Sequence, residues 1–415
     1  MEISKEKPAD KPCIIILALA RWDGPYTSTT FSLAKEFSRT HKVFYIENPL
    51  TLKYVAQHFF TDEVKKRILP GFFSKNKYKR LDIDGDLTVV TPNVTLPVNF
   101  FPQGKLYDFF SGLNDKRIGK LLMQLLKDHH IDNYIFLNAF NPFYGKRLPS
   151  SCKPRLFIYL CVDNISHSYH IRKHGAYLED EIVKKADLVF CTSKELVRSK
   201  SKHSSKVHLL PNAADVQSFK KGYARSSGIP ADISATTRPI IIYVGNIDQR
   251  LDVDLLVYVV DHCKDYQFLM VGPVSEGHDN LDKLRSFPNI QFAGPKPSSE
   301  LPGYLKQAAC AIIPFKCNEL TRSIYPLKVN EYLSVGRPVV STTFSEDISD
   351  FSEMIHLATT KEEFTEGVKR YAESNEANDI SKVNERIQFV ENNNWENRAK
   401  QFWTIVQQEM RNHHA

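Results

Sequence analysis

Residues 323–342 read SIYPLKVNEYLSVGRPVVST and contain a complete passage from helix to strand. Pro326 suits the first turn of a helix and Gly336 suits its end, because proline is favoured at the first helical position and glycine just beyond the last. The apolar residues that can face a core are Leu327, Val329, Tyr332, Leu333 and Val335. The run PVVS at 338–341 predicts a strand directly afterwards. The helix should therefore start near the carboxyl edge of a parallel sheet, where doubly wound folds bind ligands.

The start of this predicted helix carries residues suited to a nucleotide. A helix N-terminus offers free amides and the positive end of the helix dipole to a phosphate. Lys328 adds a full positive charge there, and Glu331 follows about one turn later. A carboxylate at that position can hold two neighbouring ribose hydroxyls. The spacing alone also fits an ordinary capped helix with a surface lysine and glutamate.

Outside this stretch, short β-branched runs alternate with helical segments in two successive series. Residues 29–38 and 176–186 are predicted helices of the first series, and 395–410 form a predicted amphipathic terminal helix with Ala399, Phe402, Trp403 and Val406 on one stripe. The strands predicted in the first series are 13–20, 42–47, 133–138, 155–162 and 187–192. Those predicted in the second series are 239–245, 266–272, 290–294, 310–314 and 337–342. This alternation predicts an α/β protein with two doubly wound, Rossmann-like domains.

The series are separated by residues 222–238 (GYARSSGIPADISATTR), which lack periodicity and predict an interdomain linker. The predicted first domain covers 1–221 and the second covers 239–394. The terminal helix, 395–415, is predicted to pack back onto the first domain.

Length and composition agree with two globular domains and restrict the partners. The chain has 415 residues, 42% of them hydrophobic, and a net charge of +7. This mild excess suits an anionic small molecule or a membrane surface better than nucleic acid. No apolar run reaches the length of a membrane span, and 13–20 is interpreted as a buried strand rather than a signal peptide. Seven cysteines without a CxxC pair favour a reducing compartment, so a cytoplasmic location is predicted.

Several blocks together resemble the retaining GT-B glycosyltransferases of family 4, also called glycosyl transferases group 1. The segment PLKxxEYL followed by Gly-x-Pro-Val-Val at 326–340 resembles the family's donor-nucleotide segment. Further blocks follow the family's order at 186–196 (ADLVFCTSKEL), 209–219 (LLPNAADVQSF), 244–250 (VGNIDQR), 289–294 (NIQFAG) and 300–309 (ELPGYLKQAA). The resemblance covers roughly residues 180–345, and the N-terminal half agrees only in architecture.

The resemblance implies two Rossmann-like domains facing a cleft, a nucleotide-sugar donor, no metal or other cofactor, and transfer with retention. It implies that Arg250 and Lys328 stabilise the departing diphosphate. The implied donor-binding residues are Gly245, Asn246, Arg250, Ser323, Leu327, Lys328 and Glu331.

The chain departs from the family pattern at four positions of these blocks. Ser323 stands where the family has the first of two glutamates eight positions apart, and that glutamate normally contacts the transferred sugar. Pro326 and Ala213 replace family glycines, and Asn246 replaces the arginine after the loop glycine. Arg250 is the candidate replacement for that arginine.

The first domain should supply the acceptor side and further catalytic groups. Asp163 follows a predicted strand, where it could orient an acceptor hydroxyl or support charge at the anomeric carbon. A helix cap or turn is the alternative for this residue. Trp22, Asp23 and Gly24 follow the first strand, where the family has a glycine-rich loop near the sugar and phosphates.

Two sequence patterns resemble metal-binding motifs, but neither is specific enough to predict a metal site. Asp82 with Asp84, and Asp252 with Asp254, each form a DxD triplet, which is frequent by chance. His167, His170 and His174 follow Asp163, but their spacing is irregular and a fourth ligand is absent from the pattern. No metal site is predicted.

Residues 65–80 (KKRILPGFFSKNKYKR) combine seven Lys or Arg with Phe72, Phe73 and Tyr78 and contain no acid. This composition suits an anionic membrane surface, or else a solvated loop. No nucleic-acid-binding motif accompanies it.

These features together predict a glycosyltransferase that moves a sugar from a nucleotide sugar to a glycan or lipid-linked acceptor in cell-envelope or exopolysaccharide synthesis. It would be cytoplasmic, with a peripheral position on the inner face of the plasma membrane through 65–80. A nucleotide-sugar epimerase of GT-B fold and a catalytically silent binding protein are the alternatives.

Overall fold

The structure is a computed structural model that describes residues 11–24, 28–72, 77–167, 171–225, 228, 230–233, 236–275 and 281–412. The chain forms two compact units. The first contains residues up to Pro211 together with those from Arg398 onward, and the second spans Asn212–Asn397.

The first unit is built on an eight-stranded sheet of order β3-β4-β2-β1-β5-β6-β7-β8. Its strands are Cys13–Ala18 (β1), Val43–Ile46 (β2), Tyr78–Arg80 (β3), Leu87–Val90 (β4), Tyr134–Ala139 (β5), Leu156–Cys161 (β6), Leu188–Cys191 (β7) and Val207–Leu209 (β8). The helices of its first 211 residues are Thr29–Ser38 (α1), Leu52–Gln57 (α2), Asp62–Phe72 (α3), Lys105–Asp128 (α4), Arg172–Val183 (α5) and Lys194–Lys200 (α6). A short 3₁₀ turn covers Ile165–His167.

Every strand pair of this sheet is parallel except β3 with β4. Residues 14–18 of β1 are fully buried, as expected for a central parallel strand that helices cover on both faces. Because the strand order reverses at β1 and β5, the carboxyl ends of these two strands form the switch point of the sheet.

The second unit has a six-stranded parallel sheet of order β11-β10-β9-β12-β13-β14. Its strands are Ile240–Val244 (β9), Gln267–Val271 (β10), Ile290–Gly294 (β11), Ala308–Ile313 (β12), Val339–Thr342 (β13) and His356–Ala358 (β14). Its helices are Val216–Arg225 (α7), Val253–His262 (α8), Leu281–Arg285 (α9), Leu301–Lys306 (α10), Glu319–Arg322 (α11), Leu327–Ser334 (α12), Lys361–Glu373 (α13) and Ile380–Val390 (α14). A 3₁₀ helix covers Glu346–Phe351. This is the Rossmann strand order, and its switch point lies at the carboxyl ends of β9 and β12.

The α/β architecture with two doubly wound units is confirmed, and each strand predicted from the sequence is present with ends shifted by a few residues. The sequence did not predict strands β3, β4, β8 and β14, which have three or four residues each.

The segment predicted as a linker differs in its first residues. The second unit already begins at Asn212, and Gly222 lies inside α7. A Cβ atom at Gly222 would lie 2.7 Å from Cγ of Pro302, so this glycine allows α7 to pack closely on α10. Phe219 and Tyr223 of α7 pack against the core of the second unit.

The last helix, Trp395–Asn412 (α15), returns the chain to the first unit. The Phe402 ring lies 4.7 Å from Phe37 and 4.8 Å from Phe190, measured between centroids, and Trp403 stacks on His41 at 4.0 Å. The predicted amphipathic stripe therefore makes the contacts that hold this helix.

Candidate functional site

The strongest candidate site lies at the switch point of the second sheet, where α12 approaches the loop after β9. Tyr332 of α12 is fully buried, and its hydroxyl accepts a hydrogen bond from Val244 N at 2.9 Å and donates one to Val244 O at 3.1 Å. These two bonds fix the helix against the last residue of β9. Gly336, at φ +71°, ends the helix as predicted.

Gly245 follows Val244 with φ +147°, a conformation that favours glycine. A Cβ atom there would lie 2.4 Å from Nζ of Lys328 and 2.6 Å from its Cε. A Cβ atom at Gly272 would lie 2.0 Å from Gly245 O. The loop therefore passes between Lys328 on one side and the backbone after β10 on the other, with no room for side chains.

The first turn of α12 leaves hydrogen-bonding groups open. Leu327 N donates to Tyr325 O and Val329 N to Pro326 O, whereas the Lys328 N–H has no hydrogen-bond partner in the part of the chain that is described. Pro326 occupies the N-cap position and contributes no capping side chain. An N–H and an ammonium group of the same residue are thus both available at this helix start, as an anion requires.

Lys328 and Glu331 are both partly buried, and within the described ranges neither side chain has an ion-pair or hydrogen-bond partner. Loss of solvent lowers the pKa of Lys328, and nearby Arg250 lowers it further, whereas Glu331 opposes the shift. Loss of solvent likewise raises the pKa of Glu331, and Lys328 opposes that. The Lys328 ammonium group lies 5.7 Å from the centroid of the Tyr243 ring. Two charges that have no ion-pair or hydrogen-bond partner in a poorly solvated place are a recognised mark of a functional site.

Arg250 lies beside this pair but is engaged within the protein. Its Nε donates to Asp248 Oδ1 at 2.8 Å, and its Nη2 contacts the other carboxylate oxygen. The guanidinium carbon lies 5.6 Å from the centroid of Phe315. Arg250 therefore adds positive potential near Lys328 from a fixed position, although the Asp248 carboxylate partly neutralises its charge.

The other predicted donor-binding residues lie on the same segments. Ser323 is buried, and its hydroxyl donates to Leu320 O at 3.1 Å. Asn246 is partly exposed, and its carbonyl accepts from the Tyr243 hydroxyl at 2.8 Å. Leu327 is partly exposed at the first position of α12.

Candidate residues of the first unit lie at the carboxyl edge of its sheet. Trp22 Nε1 donates to Glu47 Oε1 at 3.1 Å, and Asp23 forms an ion pair with Arg67. Gly24 is exposed. Asp163 is exposed after β6, and its Oδ1 accepts from Asn164 N at 2.7 Å.

Sequence reasoning missed the group that holds this loop. Arg67 of α3 is 6% exposed, and its Nε donates to Glu47 Oε2 at 2.6 Å. Glu47 is 2% exposed and receives bonds from both Trp22 and Arg67. Arg67 was predicted as part of a basic surface at 65–80. That placement is wrong for Arg67 and also for Lys77, because both side chains are buried.

The metal-like patterns have other roles where they are described. Asp252 caps α8, accepting from Leu255 N at 3.0 Å, and Asp82 and Asp84 are exposed. The buried His174 ring stacks on Tyr107 at 3.9 Å, while His170 lies outside the described residues. No group of three or more metal-ligating side chains occurs in the described part of the chain.

Part of the second unit matches a protein-family model. Residues 238–374 match the model of glycosyl transferases group 1. The matched range contains Gly245, Arg250, Lys328 and Glu331.

Over 170 residues, the chain is 28% identical to TuaH of Bacillus subtilis (strain 168), which is named as a candidate teichuronic acid biosynthesis glycosyltransferase. The match covers 40% of this chain and 42% of TuaH, so it spans less than half of that relative.

Structural similarity to solved proteins covers more of the chain than the sequence match does. A sucrose-phosphate synthase from Thermosynechococcus elongatus superposes with a TM-score of 0.64 at 14% identity, covering 96% of this chain and 99% of that one. A structure described as trehalose-6-phosphate from E. coli bound with UDP-2-fluoro glucose has a TM-score of 0.66 at 11% identity. The superposition covers 96% of this chain and 99% of that one. A glycosyltransferase from Rickettsia africae gives 0.61 at 15% identity, with 97% and 100% covered. The chain has the GT-B fold.

Proposed function

We propose that this protein is a glycosyltransferase that moves a sugar from a nucleotide-sugar donor to a glycan or lipid-linked acceptor. The observation that carries the proposal is the pair Lys328 and Glu331, which are partly buried and have no ion-pair or hydrogen-bond partner in the described ranges. The Lys328 ammonium group lies against the Gly245 backbone. They lie at a sheet switch point within the range of the family model.

In the proposed donor complex, the diphosphate binds the Lys328 N–H and ammonium group at the start of α12. Glu331, one turn further along the helix, accepts hydrogen bonds from the two ribose hydroxyls. When the bond to the sugar breaks, negative charge grows on the diphosphate, and Lys328 stabilises it with support from Arg250. Gly245 and Asn246 form the facing loop, and Leu327 and Ser323 flank the helix start.

We assign the acceptor side to the first unit. Asp163 is proposed to orient an acceptor hydroxyl or to support positive charge at the anomeric carbon. Trp22, Asp23 and Gly24 form the loop after β1 that would approach the sugar. Glu47 and Arg67 hold that loop in place. This supports the role, because a fixed loop can position a substrate without first becoming ordered.

The class of substrate is inferred from relatives. The name of TuaH refers to teichuronic acid biosynthesis, and one matched structure is described with a UDP-sugar analogue. Another, of trehalose-6-phosphate synthase, is described as a study of glycosyl transfer with retention. We therefore propose synthesis of a cell-envelope or exopolysaccharide glycan with retention, and without a metal cofactor. We also propose a cytoplasmic protein that associates peripherally with the inner face of the plasma membrane. No helix in the described ranges combines the length and apolar character of a membrane span.

A two-part experiment tests this function. Nucleoside diphosphates and nucleotide sugars are first screened for thermal stabilisation, since a ligand that binds only the folded state raises its apparent stability. Each stabilising nucleotide sugar is then incubated with the protein, and the products are identified by NMR. A transferase releases sugar and nucleoside diphosphate slowly without an acceptor. An isomeric nucleotide sugar would indicate an epimerase, and binding without any product would indicate a silent binding protein. Absence of stabilisation by every nucleotide would contradict the donor site itself.

A further inference from the structure

Large exposed hydrophobic side chains are concentrated in two segments of the first unit. Nine such side chains occur among the described residues: Leu52, Phe59, Phe60, Phe100, Leu106, Phe109, Met123, Val274 and Ile380. Six of the nine fall within 52–60 and 100–109. Phe60 is 85% exposed and Phe100 is 65% exposed. Scattered single exposures are ordinary, but this clustering calls for a partner.

The two segments meet around one pocket. A cavity of about 250 Å³ is lined by Lys53 from the first segment, by the preceding Thr51, and by Phe100 and Tyr107 from the second segment. Its remaining wall is largely apolar and includes Pro97, Val98, Phe143 and Tyr144. Of the six exposed side chains, Phe100 lines this pocket. We call the six exposed side chains of 52–60 and 100–109, together with this pocket, the aromatic face.

Ring contacts hold much of this face in place. Phe100 lies 4.2 Å from Phe101 between centroids, and Phe101 stacks on Phe110 at 5.3 Å. Phe109 meets Phe110 edge-on, also at 5.3 Å. The exposed rings are thus supported by partly buried ones, and they present apolar surface at little further cost in conformational entropy.

The surroundings of the face are positively charged. Residues 52–66, 100–109 and 172–173 contain six Lys or Arg against three Asp or Glu. Lys53, Lys105 and Lys173 are exposed, and Lys173 Nζ donates to Phe100 O at 2.8 Å. Exposed phenylalanines with lysines beside them suit the interface of an anionic bilayer, where rings enter the acyl boundary and ammonium groups remain at the headgroups.

We propose that the aromatic face docks on an anionic lipid bilayer. The pocket would then open toward the lipid, where its apolar wall can receive a hydrocarbon chain. The surface differs from 65–80, whose Arg67 and Lys77 are buried and unavailable. The inference rests on the peripheral membrane association proposed above, for which it names the surface, and it does not depend on nucleotide binding.

Sedimentation with vesicles tests the proposal. The 415-residue chain is mixed with vesicles of phosphatidylcholine alone or of phosphatidylcholine with phosphatidylglycerol. The face variant carries Phe60→Ser, Phe100→Ser and Phe109→Ser. The control is Ile380→Ser, because Ile380 is 76% exposed in the other unit. A second comparison variant carries Lys65→Gln, Lys66→Gln, Lys79→Gln and Arg80→Gln.

We expect the wild type and Ile380→Ser to sediment with the anionic vesicles and not with phosphatidylcholine alone. The face variant should bind at least about tenfold more weakly, since apolar burial by three phenylalanines is lost. The lysine and arginine variant should lose binding only in part, because charge adds to insertion and is screened by salt.

Equal sedimentation of the wild type and the face variant would overturn the proposal, as would failure of the wild type to bind anionic vesicles. A concentration-dependent dimer that the face variant abolishes would assign the face to a second copy of the chain instead. Calorimetry with a nucleoside diphosphate accompanies each variant. Retained nucleotide binding in the face variant shows that it is folded and keeps this result separate from the test of the donor site.

Discussion

The ammonium group of Lys328 lies over the backbone of Gly245, so close that a single methyl group on Gly245 would come within 2.4 Å of it. The two residues are 83 positions apart in the chain, and the hydrogen bonds between Tyr332 and Val244 bring them together. The positive charge of the proposed donor site is thereby placed against a bare stretch of backbone that leaves no room for a side chain on Gly245.

Gly245→Ala should displace the Lys328 side chain and weaken nucleoside diphosphate binding by about tenfold or more, because a charge-assisted hydrogen bond contributes roughly 1.5–3 kcal/mol. Gly104→Ala is a matched control, since Gly104 has φ +146° and no atom within 4 Å of a built Cβ. Both substitutions should lower stability to a similar extent through backbone strain. Calorimetric titration with a nucleoside diphosphate should show weaker binding by Gly245→Ala than by Gly104→Ala. Equal nucleotide affinity in the two variants would contradict the role of Gly245.

Lys328→Ala should lower turnover by roughly 10²–10³, the usual loss when one group that stabilises developing negative charge is removed. Arg250→Ala should also lower turnover, but by less, because the Arg250 guanidinium is bonded to Asp248. Steady-state kinetics on the donor identified by screening measure both effects. Unchanged kcat and KM in both variants would remove the diphosphate assignment.

Glu331→Gln should weaken binding of a nucleoside diphosphate by about one to two decades, because a carboxylate accepts from two hydroxyls more strongly than an amide. Inorganic pyrophosphate lacks the ribose, so its affinity should not fall. Calorimetry with the two ligands on wild type and variant makes the comparison. If both ligands lose affinity equally, Glu331 acts on the phosphates or on the fold and does not contact the ribose.

Arg67→Met should destabilise the first unit by about 3–5 kcal/mol, because it leaves the buried carboxylate of Glu47 without its cation. Lys65→Met lies on the same helix but is exposed, so its effect should stay within about 0.5 kcal/mol. Urea unfolding measures both. The double variant Glu47→Gln with Arg67→Met should recover part of the loss, and additive losses would show that the pair is not coupled.

Asp115 should make the stability of the first unit depend on pH. Its carboxylate is buried, Oδ1 accepts from Gly145 N at 3.0 Å, and Oδ2 has no partner among the described residues. Burial raises the pKa of Asp115 to about 6 from 3.8. The unfolded carboxyl ionises first as pH rises, so stability is lost between about pH 4 and 6 and is not regained above that.

The wild type should therefore lose roughly 3 kcal/mol relative to Asp115→Asn across this interval, from about 1.4 kcal/mol for each unit of pKa shift. Thermal unfolding of both proteins at pH 4 and pH 7 measures the difference. A difference between the two proteins that does not change with pH would contradict the raised pKa.

Local sequence patterns are enough to predict the alternation of strands and helices, the two doubly wound units, the terminal helix and the helix at 327–334. These features depend on periodicity and on proline and glycine positions within a few residues, so they can be read locally. The same stretch predicted Lys328 and Glu331 as neighbours on one helix turn. The role of Gly222 was not visible, because a glycine that permits close helix packing looks the same in sequence as one in a linker.

Only the tertiary structure decided which charges are free and which are engaged. Arg67 belongs to a basic run in the sequence, yet it is buried against Glu47, 20 residues earlier. Arg250 is bonded to Asp248, whereas Lys328 and Glu331 have no ion-pair or hydrogen-bond partner in the described ranges. The aromatic face likewise combines segments about 40 residues apart around one pocket. Burial and pairing depend on which distant elements the fold brings together, and no local pattern of residues encodes that.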